Sequence, residues 1–321
     1  LPCFELVTEG EEEFVVDKTR LSDPGFGILF GVRRLAIRPG AIGDFILSLP
    51  ALERLRSGYL EVWAASPNLP LVRFADRVRS IASTGLDLLG VADPPARLLE
   101  ELRGFDSIVS WYGANRPEFR ELMLGLKLPC VFFPALPPGP APTPPQGSPP
   151  ALPAVIPTAP LAGASPPGLP LNPLPTAAVH ATDFYLDQVR ELSAETGSDI
   201  PRIPCQAARA DFAVIHPFSG SARKNWPLEK FRQVARGLER NLPVRWCAGP
   251  EDPPLEGAVR IDDLYELACW LASARLYIGN DSGITHLAAA VGTPVLALFG
   301  PTDPGVWAPR GPNVRVARWG V

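Results

Sequence analysis

Apolar and polar positions switch between two periods along most of the chain. The apolar run at 35–38 reads as a buried strand. A Gly-containing loop over 39–44 follows it. Phe45, Leu49, Leu52 and Leu55 then recur on one side of a helix predicted over 45–56. Further strands are predicted at 60–65, 80–82, 107–110 and 130–133, with helices at 94–103 and 116–126. The alternation resumes at His180. There Thr182 or Asp183 would cap a helix that Gly197 stops. Strands at 211–215, 244–248, 275–279, 295–299 and 314–317 follow. Between them lie helices starting at Pro227, after Asp262 or Asp263, and at Gly283. Strands that alternate with helices imply an α/β fold, a parallel sheet covered on both faces.

One stretch breaks the pattern. Residues 134–176 hold 17 of the 40 prolines and no charged residue. Proline sustains neither a sheet ladder nor a helix interior, so this is a connection or surface insertion with extended stretches, and its composition also suits a docking strip. The chain therefore divides into an N-terminal extension (1–32), a first β/α domain (33–133), a Pro-rich insertion or linker (134–179) and a second β/α domain (180–321). Gly25, Gly27 and Gly31 have no strand before them and do not make a dinucleotide loop.

Composition narrows the function classes. The 321 residues are 46% hydrophobic and 20% charged, which is enough to build a core. A formal net charge of −4 supplies no global positive field, so nucleic acid is not an expected partner. The five Cys are scattered without a C-x-x-C pair, which points to reduced thiols in the cytoplasm rather than a disulfide framework or zinc ribbon. No apolar run reaches the length of a membrane helix, and the first residues lack the basic and apolar regions of a signal peptide.

Four loops after predicted strands carry the candidate chemistry, because open parallel sheets bind ligands at the carboxyl ends of their strands. In the first, Gly40 and Gly43 allow close backbone approach. Asp44 falls in the first turn of the next helix, where the dipole would keep it ionised and able to act as a base; a capping role is the plainer alternative. The second runs from His216 to Pro227. With Ser219, Ser221, Arg223 and Lys224 it is hydroxyl-rich and basic, suits a phosphate, and is not a Walker A loop. His216 alone reads as a structural strand-end histidine. In the third, Glu251 could accept from ribose hydroxyls. In the fourth, Asp281, Ser282 and Gly283 stand at a strand-to-helix turn whose free amides suit a diphosphate. Asp281 beside an anion is costly unless it binds a hydroxyl or a cation. His286, one turn on, either faces the same cleft or packs behind the loop.

These loops resemble glycosyltransferase family 9, the ADP-heptose:lipopolysaccharide heptosyltransferases. The resemblance rests on Arg38-Pro39-Gly40-Ala41-Ile42-Gly43-Asp44, Lys224-Asn225-Trp226-Pro227, the run 279–287 and Phe299-Gly300-Pro301-Thr302-Asp303-Pro304, together with 180–186. It covers roughly residues 33–321. It implies a GT-B fold, two Rossmann-like parallel-sheet domains facing across a cleft, and an inverting, metal-independent glycosyl transfer without a cofactor. The acceptor would bind mainly to the first domain and the nucleotide-sugar to the second. By this resemblance Asp44 matches the general base. Ser219 and Lys224 match holders of the donor phosphates, and Ser282 and Gly283 match backbone donors to them. Asp281 matches a sugar contact and Glu251 a ribose contact. The implied partners are a nucleotide-sugar donor and a lipid-linked or core oligosaccharide acceptor, met at the inner face of the cytoplasmic membrane by peripheral contact. Two other readings fit the same chain: a nucleotide-sugar epimerase on a GT-B-like scaffold, and a non-catalytic protein presenting the Pro-rich segment to a partner. A nicotinamide dehydrogenase does not fit, since no G-x-G-x-x-G follows a strand.

Overall fold

The computed structural model describes residues 31–89, 95–138, 179–193 and 197–320. The expected extension up to residue 30 and residues 139–178 of the Pro-rich segment, with its docking strip, lie outside the described residues.

The first domain holds β1 (Val32–Arg38), β2 (Gly58–Ala64), β3 (Arg77–Ser80), β4 (Ser107–Ser110) and β5 (Cys130–Phe132), all parallel, in the order β3-β2-β1-β4-β5. Its helices are α1 (Ile42–Arg54), α2 (Ala96–Arg103) and α3 (Pro117–Gly125). After α4 (Ala181–Val189) comes the second parallel sheet: β6 (Ala213–His216), β7 (Val244–Trp246), β8 (Leu276–Asn280), β9 (Val295–Phe299) and β10 (Val314–Arg318). Its order is β10-β9-β8-β6-β7. Helices α5 (Leu228–Leu238), α6 (Leu264–Ser273), α7 (Gly283–Ala290) and the single turn α8 (Pro304–Trp307) connect these strands. The fold is thus two Rossmann-like parallel-sheet domains, as the residue pattern predicted.

Three details differ from the sequence reading. Strand β3 lies at 77–80 rather than 80–82. It is an edge strand whose charged Arg77 and Arg79 hide it from an apolar search, and Ile81 already begins a 3₁₀ turn. Helix α1 begins at Ile42, before the apolar stripe, and closes its first turn from the Phe45 amide to the Ala41 carbonyl at 2.9 Å. Helix α4 is capped by neither Thr182 nor Asp183, and it ends at Val189 rather than being stopped by Gly197. The His180 Nδ1 accepts from the Thr182 amide at 3.1 Å, while the Thr182 side chain turns inward and is buried.

The largest apolar core runs through both domains. Phe45, Leu49 and Leu52 of α1 join Tyr185 and Val189 of α4, Leu267 and Leu271 of α6 and Leu287 of α7. Helix α4, first in chain order after the Pro-rich segment, packs on α1 of the first domain. Its residues also hold the chain that leaves that domain. The Tyr185 hydroxyl donates to the Ala135 carbonyl at 3.0 Å, the Gln188 amide donates to the Pro134 carbonyl at 3.1 Å, and Trp111 Nε1 donates to Gln188 Oε1 at 2.7 Å. The four cysteines among the described residues, Cys130, Cys205, Cys247 and Cys269, are free.

Strand order also fixes where a ligand can lie. In the first sheet the order reverses between β1 and β4, in the second between β6 and β8. Crevices open at such reversals, beyond the carboxyl ends of the strands. The loops after β1, β6 and β8 therefore converge.

Candidate active site

The site forms where the first turns of α1 and α7 meet. Gly40, with φ +130°, lets the chain fold sharply out of β1, and its carbonyl accepts from Asn68 Nδ2 at 3.0 Å. Helix α1 has no side-chain cap, which leaves its leading amides without an acceptor of their own. The side chain of Ser282 caps α7. The helices approach so closely that a Cβ on Gly283 would stand 2.7 Å from Ile42 Cβ and 3.2 Å from the Gly43 amide nitrogen. A Cβ on Gly43 would stand 3.1 Å from the His286 ring. Two positive helix ends thus face one cavity of about 400 Å³.

Asp44, Lys224, Asp281, Ser282, Gly283 and His286 all line that cavity, and Gly43 joins them. Asp281, only 5% exposed, accepts from Lys224 Nζ at 2.8 Å and from Thr302 Oγ1 at 2.6 Å. That meets the condition its position imposed, a cation and a hydroxyl. The basic loop is fastened from beneath: Asn280 Oδ1 accepts from the Trp226 amide at 2.9 Å, and Asn280 Nδ2 donates to the Pro217 carbonyl at 2.7 Å. Two apolar groups, Leu136 and Trp307, also line the cavity. The turn carrying Trp307 is bolted to α4 by His180 Nε2 on the Ala308 carbonyl at 2.9 Å and by Arg310 on both carboxylate oxygens of Asp183 at 2.6 and 2.5 Å.

Asp44 departs from expectation in one respect. Burial raises its carboxyl above the ordinary value, Arg38 and Lys224 pull it down, and Asp281 pushes it up. Loss of solvent thus opposes the charged form that the helix end was expected to favour. His286 faces the cleft rather than packing behind the loop. Burial lowers its pKa to about 4, so the imidazole is neutral, and its buried Nδ1 has no hydrogen-bond partner.

Two expected donor contacts are placed differently. The Ser219 hydroxyl is engaged within its own loop, 2.8 Å from the Ser221 carbonyl and 2.7 Å from Asn225 Oδ1. Ser221 and Gly220 line the cavity in its place. Glu251 is exposed and makes no hydrogen bond among the described residues. Its neighbour Asp252 accepts from the Gly249 amide and pairs with His216 Nε2 at 2.9 Å, so His216 is a strand-end anchor. Beside them an open hollow of about 700 Å³ is lined by Asp252, Arg260 and Leu255. Sequence reasoning gave no role to Arg38, Thr302 or Trp307. A charge ending an apolar strand was the available signal for Arg38.

Residues 175–319 match the model of glycosyltransferase family 9 (heptosyltransferase). That likeness to glycosyltransferase family 9 lies in the C-terminal domain. Among curated proteins it is 31% identical over 150 residues to lipopolysaccharide heptosyltransferase 3 of Escherichia coli (strain K12), covering 41% of this chain and 44% of that protein. It is 32% identical over 154 residues to lipopolysaccharide heptosyltransferase 1 of Salmonella typhimurium (strain LT2), covering 40% and 48%. The aligned part thus spans about half the length of these relatives. Likeness of fold extends further. The family 9 glycosyl transferase of Veillonella parvula superposes with TM-score 0.64 at 17% identity, over 91% of this chain and 87% of that one. The E. coli heptosyltransferase WaaC with ADP superposes with TM-score 0.58 at 17% identity, over 89% and 93%. The architecture is therefore GT-B type.

Proposed function

We propose that this chain is an inverting glycosyltransferase that moves a heptose, or a closely related sugar, from an ADP-sugar to a lipopolysaccharide-core-type acceptor. The observation that carries the reading is the single cavity in which Asp44 faces the Lys224–Asp281–Thr302 cluster and two helix N-termini. Asp44 takes the proton of an acceptor hydroxyl as that oxygen attacks the anomeric carbon. The bond from that carbon to the diphosphate oxygen breaks, and the electron pair leaves with the nucleotide. Negative charge grows on the diphosphate beside the Lys224 ammonium and the leading amides of α7, groups fixed before the reaction begins. This local positive field performs the work for which other glycosyltransferases employ a divalent cation, so we assign a metal-independent reaction. Asp281 orients sugar hydroxyls through the oxygen that Lys224 and Thr302 leave free. The names of the relatives support the donor and acceptor classes, and such an acceptor places the enzyme at the cytoplasmic face of the membrane. No helix among the described residues is long and apolar enough to cross it.

Calorimetry with ADP, UDP, GDP and CDP, without and with magnesium, tests the donor. Selective ADP binding that ignores magnesium is expected; preference for another nucleotide moves the donor class. With ADP-heptose and a core acceptor, Asp44→Asn should lower kcat by ~10²–10⁴-fold while ADP still binds, the usual contribution of a positioned base. Full turnover in that variant would remove Asp44 as the base. An altered sugar released without acceptor would instead identify an epimerase.

A further inference from the structure

Arg38 ends β1 directly beneath the Gly40–Asp44 turn and is 1% exposed. Its guanidinium makes no ion pair among the described residues. It donates from Nε to Ser48 Oγ at 3.1 Å, from Nη1 to the Pro39 carbonyl at 3.0 Å and from Nη2 to the Asp44 carbonyl at 3.2 Å. All three acceptors are neutral. Two aromatic rings close the remaining sides, Tyr185 of α4 at 4.6 Å and Trp111 at 5.9 Å from the guanidinium carbon. A buried cation with neutral neighbours is costly unless an opposite charge lies in reach. Arginine stays protonated in proteins and cannot escape that cost by losing its proton.

The carboxylate in reach is Asp44. Arg38 Nη1 and Asp44 Cβ stand 3.6 and 3.7 Å from the point that a Cβ on Gly40 would occupy, so the two side chains flank the same glycine. A side chain there would separate them. The residue that needs a buried positive charge and the residue that supplies one are therefore set side by side by the turn itself.

We propose that Arg38 is a positioning residue for Asp44: its buried guanidinium supplies the positive field that keeps the Asp44 carboxylate charged in a closed cleft, and its hydrogen bond to the Asp44 carbonyl fixes the turn that aims it. The proposal rests on Asp44 acting as a base. Its central claim, however, is about one carboxyl group and can be read without turnover. Besides Arg38 the groups around that carboxylate are Lys224 of the basic loop, Asp281 after β8, Tyr185 of α4 and neutral His286 of α7. Lys224 is one-third exposed and shared with Asp281, which leaves Arg38 as the enclosed, dedicated charge. Its effect opposes that of burial, which pushes Asp44 toward the neutral acid.

The test is the carbon-13 titration of aspartate carboxyl groups in the full chain, with the Asp44 signal assigned by its loss in Asp44→Asn. Arg38→Gln keeps hydrogen bonding and removes the charge. It should raise the Asp44 titration midpoint by about one pH unit or more, a tenfold shift in its protonation equilibrium, while Arg38→Lys keeps it near the wild-type value. Arg38→Met repeats the measurement without any hydrogen bond, and Ser48→Ala, which removes a neutral acceptor alone, should leave the midpoint in place. An unchanged Asp44 midpoint in folded Arg38→Gln or Arg38→Met overturns the proposal. Where transfer is measurable, the acidic limb of kcat/KM should move upward with the same variants. A moved carboxyl midpoint without any transfer activity would uphold Arg38 and reject the proposed reaction.

Discussion

Lys224 is 33% exposed, yet the carboxylate it holds is 5% exposed, so removing one partner strands the other. Lys224→Met should weaken ADP binding by ~10–100-fold, the worth of a hydrogen bond to a charged group. It should also lower stability by about 1 kcal/mol, discounted from the larger cost of breaking a fully buried pair because the ammonium still meets water. Calorimetry and urea unfolding read the two effects separately. At this scale the sequence revealed chemistry better than environment. Asp44, Lys224 and Asp281 were visible as residue types at loop positions. That Asp281 would already hold both Lys224 and Thr302 was not, because Thr302 is 21 positions away and meets it only through the β8–β9 pairing. The partial burial that raises the Asp44 carboxyl was hidden for the same reason: a helix end is local and readable, whereas burial depends on distant parts of the chain.

Helices α1 and α7 touch through glycine. Gly283→Ala must push Ile42 away, and overpacking of this kind costs about 1–3 kcal/mol. Gly237→Ala in α5 is the contrasting case, because nothing lies within 4 Å of the added Cβ. It should raise stability by up to about 1 kcal/mol, as alanine favours a helix interior. Urea midpoints of the two variants should therefore move in opposite directions. Elements with a clear apolar period, such as β9 and α6, were legible almost to the residue. Edge strand β3 was not, since one of its faces carries arginines. The cap of α4 was missed because histidine is not among the usual capping residues, and its choice here follows from a second bond, to the Ala308 carbonyl.

The whole molecule couples acid sensitivity to the contact between its halves. Burial lowers the pKa of His286 to about 4 from an ordinary 6.5, and burial also lowers His180, despite its bond to the Ala308 carbonyl. For both, the unfolded chain takes up protons first as pH falls. Their stabilising effect is complete above about pH 6.5 and is lost at lower pH, for His286 as pH drops toward 4. Asp183, held below its ordinary value by Arg310, adds a further loss below about pH 4. Asp44, raised by burial, works in the opposite sense and offsets part of it. Urea midpoints should accordingly fall between pH 7.5 and 5, and His286→Gln should flatten that slope. Two β/α halves were readable from the alternation alone. Their union into one core was not, because the apolar stripes of α1, α4, α6 and α7 look alike whether they cover their own sheet or each other.

The bonds from Tyr185, Gln188 and Trp111 have a consequence for how the chain can be cut. They fasten the departing end of the first domain to the returning helix α4, so the peptide between them is not what keeps the halves in register. A cleavage anywhere in 139–178 should yield two fragments that recognise each other through α1, α4 and the shared core. The covalent connection would then act chiefly by raising the effective concentration of each half at the other. Co-expressed as separate polypeptides, the two pieces should copurify, and replacing this segment with linkers of other lengths should change stability by only ~0.6 kcal/mol per doubling.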